Sequence, residues 1–264
     1  MECIDAEKLN LDKKDLPIGV FDSGVGGVSV LREIVRQMPN ENIRFFGDSA
    51  NAPYGTKTPE RIVELTCKNV AHLYEEGIKA VVVACNTATS AAIATLREIY
   101  TDIPVVGIEP ALKPAALIAE HPRVLVMATP MTVGGDKFHM LKERWQDKAD
   151  VVSVSCPGLM EHVERGELEG EIIDTYLSDL LTPYLNEKVD AVVLGCTHYP
   201  FVRAAIKKVV GDVPVIDGSE GTARQLKRLL NEASLLTERE DQGKVSFEFS
   251  VPERRELAEK LLNM

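Results

Sequence analysis

The sequence predicts an α/β protein of two similar domains, each with a mainly parallel sheet, related by a pseudo-two-fold from internal duplication, with the active site in the cleft between them. Three observations carry this. Short apolar runs rich in β-branched residues alternate with helical patterns along the chain. Residues 80–90 read AVVVACNTATS and residues 191–201 read AVVLGCTHYPF, so an apolar run twice climbs to a cysteine followed by small polar residues. Asp102-Ile103-Pro104-Val105-Val106 returns as Asp212-Val213-Pro214-Val215-Ile216, 110 residues on, close to the 111 separating Cys85 from Cys196. Such an echo at one spacing marks a duplicated unit.

In chain order, residues 1–16 show no periodicity and read as a solvated leader. Residues 18–22 form a first strand ending in Asp22-Ser23-Gly24-Val25-Gly26-Gly27. This loop is neither of the common nucleotide-binding glycine patterns, yet its glycines allow backbone to approach a ligand. Leu31, Ile34, Val35 and Met38 mark the helix beyond it. Residues 42–48 are a second strand, followed by the turn Ser49-Ala50-Asn51-Ala52-Pro53-Tyr54-Gly55. Thr58 caps and Pro59 opens the next helix, whose apolar stripe runs Val63, Cys67, Val70 and Tyr74, placing Cys67 in the core, and which Gly77 ends. A strand over 78–85, a helix over 88–100 and a strand over 103–108 complete the first unit. The second repeats the order with strands over 123–129, 151–156, 189–196 and 213–217. A helix over 222–230, a strand-like alternation over 244–250 and a helix from Pro252 close the chain.

The 264 residues, 45% hydrophobic, suffice for one large domain or two small ones with a proper core. A net charge of −11 without a basic block argues against nucleic acid as a partner. No apolar run approaches the roughly 20 residues of a membrane helix, and the charged start lacks an apolar signal core. The expected location is the cytoplasm. Five cysteines, at 3, 67, 85, 156 and 196, lack C-x-x-C spacing, which points to free thiols and no structural zinc.

Ligands of parallel sheets gather beyond the carboxyl ends of the strands, where Cys85 and Cys196 both fall. Cys156 also ends a strand, at a place the repeat does not match, and reads as rim or core. Two opposed thiols can form a disulfide, bind a metal with His198, or move protons at opposite faces of one carbon. Reactive dithiols commonly lie close in sequence, which weakens the first. The metal site is chemically feasible, but only two-sided proton transfer accounts for one thiol from each repeat. That chemistry is a racemase without cofactor or metal. An unperturbed thiol has a pKa of roughly 8.5 and acts as a base only when ionised. Candidate assistants are Asp22 and His198; Asp22 could equally cap the following helix.

At these residues the chain resembles the glutamate racemase family of the aspartate/glutamate racemase superfamily. The resemblance rests on Asp22-Ser23-Gly24-Val25-Gly26-Gly27, Pro53-Tyr54-Gly55, Ala84-Cys85-Asn86-Thr87-Ala88-Thr89 and Gly195-Cys196-Thr197-His198-Tyr199-Pro200, and extends from about Ile18 to the C-terminus. It implies interconversion of L- and D-glutamate by a homodimer, supplying D-glutamate for peptidoglycan. It implies that Cys85 works on D-glutamate and Cys196 on L-glutamate. Asp22, Ser23, Pro53, Tyr54, Gly55, Asn86, Thr87, Thr197 and His198 match substrate-binding positions, Thr132 a further one, and Glu164 an acid near the second cysteine. The family's C-terminus returns to the first domain, which implies 1–98 with 208–264 as one domain and 99–207 as the other. After Met131-Thr132-Val133 this chain reads Gly134-Gly135-Asp136-Lys137-Phe138, where the family more often has a serine and then a tyrosine. The alternatives are an aspartate racemase or related isomerase, a pyridoxal-phosphate racemase, for which no lysine has a suitable context, or a non-catalytic amino-acid or metal binding protein.

Overall fold

A computed structural model describes residues 12–264, and the chain divides into two α/β units. One holds the chain up to Ile108 with Ser219–Met264, the other Glu109–Gly218. In the first, β1 (Ile18–Asp22), α1 (Val28–Gln37), β2 (Ile43–Gly47), α2 (Pro59–Glu75), β3 (Ala80–Val83), α3 (Asn86–Ile99) and β4 (Val105–Gly107) alternate. The second runs α4 (Leu112–Ala116), β5 (Arg123–Ala128), α5 (Pro130–Val133), α6 (Asp136–Trp145), β6 (Asp150–Ser155), α7 (Leu159–Glu164), α8 (Glu171–Leu181), β7 (Ala191–Leu194), α9 (Arg203–Val210) and β8 (Val215–Asp217). The chain then returns as α10 (Ser219–Glu232), β9 (Val245–Phe249) and α11 (Arg254–Leu262). The crossings fall later than the 98/99 and 207/208 implied above. The reason is pairing: β4 hydrogen-bonds to β3 and β8 to β7, so each repeat keeps its last strand in its own sheet.

Strand order is β4-β3-β1-β2-β9 in one sheet and β6-β5-β7-β8 in the other, with every pairing among the described residues parallel. With β5 to β8 as copies of β1 to β4, both sheets have the order 4-3-1-2. Their registers agree as well. Ile18 opposite Ala80 corresponds to Val124 opposite Ala191, Val20 opposite Phe45 to Val126 opposite Ser153, and Val81 opposite Val105 to Val192 opposite Val215. The duplication read in the sequence therefore extends to hydrogen-bond register, and β9 is an addition at the β2 edge.

β1, β3 and β7 are buried at every residue, as expected of parallel strands with helices on both faces. In each sheet the chain leaves the first strand toward one side and comes back for the third on the other. That reversal opens a crevice at the carboxyl ends of the first and third strands. The second unit's core is representative of the packing: Leu112, Val124, Val126, Phe138, Val151 and Val193 are buried together.

Thr58 Oγ1 accepts from the Arg61 N–H at 3.4 Å and Pro59 occupies the first turn, so α2 begins as expected. Its buried face, however, is Ile62, Leu65, Thr66, Asn69, Val70 and Leu73. The stripe through Val63, Cys67 and Tyr74 is only half-buried, which corrects Cys67 from core to margin. The helix is turned so that Asn69 faces inward, where its amide has partners described below. No helix among the described residues is long and apolar enough to cross a membrane.

The amino ends of the first sheet are tied by a buried ion pair. Lys79 and Glu41, immediately before β3 and near the start of β2, approach to 2.5 Å with side chains 1% and 3% exposed. Glu41 Oε1 also accepts the Thr237 N–H at 2.9 Å, and Lys79 Nζ donates to the Lys14 carbonyl. Residues 12–16 of the expected leader are thus bound to the sheet, in part as a short 3₁₀ turn over Lys13–Asp15; its first eleven residues, Cys3 included, lie outside the described residues. Removing one partner of a buried pair strands the other charge, at a cost of about 3–5 kcal/mol. Lys79→Ala is accordingly expected to lower unfolding stability by that amount in urea titration, and an unchanged midpoint would show that the pair contributes nothing.

Candidate active site

In the first unit the side chains gather where β1, β2 and β3 end. The strand β3 stops at Val83, and Cys85 becomes the N-cap of α3: its Sγ accepts the Ala88 N–H at 3.4 Å. The expected helix start at residue 88 is therefore two residues late, and Asn86 and Thr87 belong to the first turn. A thiol at a helix N-terminus lies at the positive end of the helix dipole, which favours the thiolate. Ser23 Oγ lies 3.3 Å from Cys85 Sγ. Asp22 is fully buried, and its Oδ1 accepts the Gly24 N–H at 2.8 Å. Since the N-cap of α1 is Gly27, the capping reading of Asp22 is set aside; its carboxylate instead shapes the loop holding Ser23.

Gly27 is fixed by packing. A Cβ there would meet Asp22 Cβ at 2.6 Å and Ala84 Cβ at 3.0 Å, so this glycine lets the two strand ends approach each other. Asn86 is buried, and among the described residues neither Nδ2 nor Oδ1 of its amide has a hydrogen-bond partner. An amide buried in this way is costly in a native protein unless a ligand or water meets it. Thr87 is buried beside it.

The Pro53-Tyr54-Gly55 segment forms a 3₁₀ turn over Tyr54–Thr56 after a cis Ala52–Pro53 bond. Pro53 and Gly55 are half-buried, while Tyr54 is buried with its ring 6.2 Å from that of Phe21. Its hydroxyl donates to Asp48 Oδ2 at 2.7 Å. Burial first, then the hydrogen bond and charge of Asp48, with a further contribution from nearby Cys85, push the phenol's pKa well above its ordinary value. Asp48 also accepts from Asn51 Nδ2 and from Asn69 Nδ2. Asp48, Asn51 and Asn69 were not singled out in the sequence. The available signal was a polar residue, Asn69, in series with Ile62, Leu65 and Leu73, successive members being three or four residues apart on one helix face.

In the second unit Cys196 follows β7 as Cys85 follows β3. Its sulfur has different support: His198 Nδ1 lies 3.7 Å from Cys196 Sγ, and His198 Nε2 lies 2.8 Å from Glu164 Oε1 on α7. All three are buried. Burial alone would push the His198 pKa down, but the hydrogen bonds and charges of Cys196 and Glu164 outweigh it and hold the imidazolium well above the usual histidine range. Thr197, between Cys196 and His198 in sequence, is buried. Thr132, on α5 past the end of β5, is buried; its N–H donates to Thr129 Oγ1 at 3.3 Å and the two hydroxyls lie 3.0 Å apart. Gly134 and Gly135 end α5 and lead into α6, where Phe138 is buried.

Each unit thus brings together its own share of the expected residues: Asp22, Ser23, Tyr54, Cys85, Asn86 and Thr87 in one, Thr132, Glu164, Cys196, Thr197 and His198 in the other. Cys156 resolves to core. It is 2% exposed, its thiol donates to the Val154 carbonyl at 3.4 Å, and burial pushes its pKa far up. A three-donor group with metal-ligand spacing, His72, Glu76 and Glu248, lies on the first unit's surface. Its atoms are already engaged, His72 with Glu248 at 2.9 Å and Glu76 with Arg44.

The sequence and the fold match known proteins. The chain belongs to the Asp/Glu/hydantoin racemase family, whose model matches residues 18–226. Within it, the chain is similar over nearly its whole length to glutamate racemases. It is 47% identical over 256 residues to that of Clostridium perfringens, covering 96% of this chain and 98% of the relative. Among solved structures, glutamate racemase of Bacillus anthracis is 34% identical with a TM-score of 0.86, covering 95% of each chain. That of Francisella tularensis, in complex with D-glutamate, is 31% identical with a TM-score of 0.83 and the same coverage.

Because folded His198 holds its proton more tightly than the unfolded chain, its contribution to stability is complete below about pH 6.5 and is lost as pH rises through the folded-state value. In Glu164→Gln the ring loses its anionic partner, and the His198 resonances in NMR are expected to titrate at lower pH than in the unmodified protein. Identical midpoints would show that Glu164 does not support the imidazolium.

Proposed function

We propose that this chain is a cofactor-independent glutamate racemase that works by two-base proton transfer, with Cys85 acting on D-glutamate and Cys196 on L-glutamate. The observation that supports it most strongly is the repeated one: a thiol just beyond the third strand of each sheet, at the same register, with its own adjacent polar support. From L-glutamate, the Cys196 thiolate takes the Cα proton while the Cys85 thiol gives its proton to the opposite face. The product is D-glutamate, and the enzyme is left with Cys196 protonated and Cys85 as thiolate. Return to the starting state needs only proton exchange with solvent. In reverse the roles swap.

The remaining residues divide by what glutamate needs. Its two carboxylates require donors, and its ammonium requires acceptors. The unpartnered amide of Asn86, the hydroxyls of Ser23, Thr87, Thr132 and Thr197, and the backbone of Tyr54 and Gly55 offer hydrogen bonds; the Asp22 carboxylate offers a counter-charge. His198, backed by Glu164, shuttles the Cys196 proton, and Asp22 serves the Cys85 side through Ser23 and the loop it shapes. On this reading the enzyme operates in the cytoplasm as a homodimer and supplies D-glutamate for peptidoglycan, as the resemblance of its motifs implies.

Loss of a positioned proton-transfer group costs about 10²–10⁴-fold. Cys85→Ala and Cys196→Ala are each expected to lose activity on glutamate by at least that range, with circular dichroism unchanged. Turnover in dialysed protein with chelator and no added pyridoxal phosphate is expected to persist in the parent. Full activity in either alanine variant would remove the two-thiol mechanism, and faster turnover of aspartate would change the substrate.

A further inference from the structure

We propose that Asn69 is a positioning residue for the substrate site: together with Asp48 it fixes the Tyr54 side chain, and through it the Tyr54–Thr56 turn, in the place from which that turn serves the substrate. This rests on the reading that Tyr54 and Gly55 contact glutamate.

The geometry is a closed triangle. Asn69 Nδ2 donates to Asp48 Oδ2 at 3.0 Å and to Tyr54 Oη at 3.3 Å, while Tyr54 Oη donates to the same Asp48 Oδ2 at 2.7 Å. All three residues are buried. The Tyr54 proton is therefore committed to Asp48 and one lone pair to Asn69, so the phenol is not a proton source for chemistry. It is an anchor. Asp48 follows β2, at the same end of the sheet as Asp22, and Asn69 sits nearly three turns into α2, on its inward face. The anchored turn packs against α3, which begins at Asn86 and is capped by Cys85. Asn69 thus reaches the thiol's surroundings through one side chain, without a bond to Cys85 among those observed.

The amide can be tested by a substitution whose charge depends on pH. In Asn69→Asp, a protonated carboxyl at 69 can donate to Asp48 as the amide does, whereas an ionised one faces a second carboxylate and repels it. In Asn69→Ala both donated bonds are lost at every pH. For Asn69→Ala, KM for each glutamate enantiomer is expected to rise about ten-fold, with kcat within about two-fold of the parent. For Asn69→Asp, KM relative to the parent is expected to be near one at the acid end of the activity range and to climb about ten-fold toward pH 9. The pH-dependent rescue is a signature that a purely structural role would not give.

Parent-like KM in both variants, a flat KM ratio with pH in Asn69→Asp, or a loss confined to kcat would each overturn the assignment. D-glutamate affinity, measured calorimetrically with and without Asn69→Ala in a Cys85→Ala background, separates the two levels. Turnover retained by Cys85→Ala alone refutes the two-thiol reading. Equal affinities in the pair refute the role of Asn69, whichever way that reading falls.

Discussion

The strand order 4-3-1-2 is the constraint on which the rest depends. A parallel sheet whose chain steps one way from its first strand and the other way to its third leaves the carboxyl ends of those two strands beside an uncovered crevice. In the first unit those ends present Asp22 and Ser23 from β1 and Cys85 from β3; in the second, Thr132 after β5 and Cys196 after β7. A second copy of the same order necessarily presents a second thiol at the same level, since the registers coincide. Gly27 shows how tightly this end is drawn together, with no room for a Cβ between Asp22 and Ala84.

The copies share a backbone plan but differ in electrostatics. Cys85 caps a fourteen-residue helix and is assisted by a main-chain N–H and a serine hydroxyl. Cys196 has a charged relay, an imidazole backed by a carboxylate. The first support is a fixed dipole, which favours a thiolate; the second is an imidazole that holds its proton beside the sulfur. Under the proposed two-thiol mechanism the helpers need not be identical, because each thiol would meet the same groups on Cα in a different arrangement.

Much of this was legible in the sequence because parallel strands buried on both faces leave continuous apolar runs, and the duplication repeats those runs at nearly constant spacing. The thiols and their polar followers could be read for the same reason. What could not be read was set by packing in three dimensions. The face of α2 was misjudged because two overlapping apolar stripes share Val70, one through Val63 and Cys67 and one through Ile62, Leu65 and Leu73, and it is the second, which also brings Asn69 to Asp48, that packs inward. The unit crossings implied by the resemblance, after residues 98 and 207, fall too early, whereas the strand pattern itself puts 103–108 in the first unit and 213–217 in the second, where β4 and β8 pair. Asp22 could be separated from a helix cap only when the N-cap of α1 proved to be Gly27, and the contact between Glu164 and His198 joins residues too far apart in sequence for spacing to suggest it.

The central claim, one thiol for each face of Cα, is tested most directly by isotope distribution at low conversion. L-glutamate incubated with the protein in deuterated water should give D-glutamate carrying solvent deuterium at Cα from the first turnovers, while the remaining L-glutamate stays unlabelled. The same pattern should hold with the enantiomers exchanged. Equal labelling of substrate and product, or product that keeps the original proton, would show that a single base serves both faces and would contradict the account.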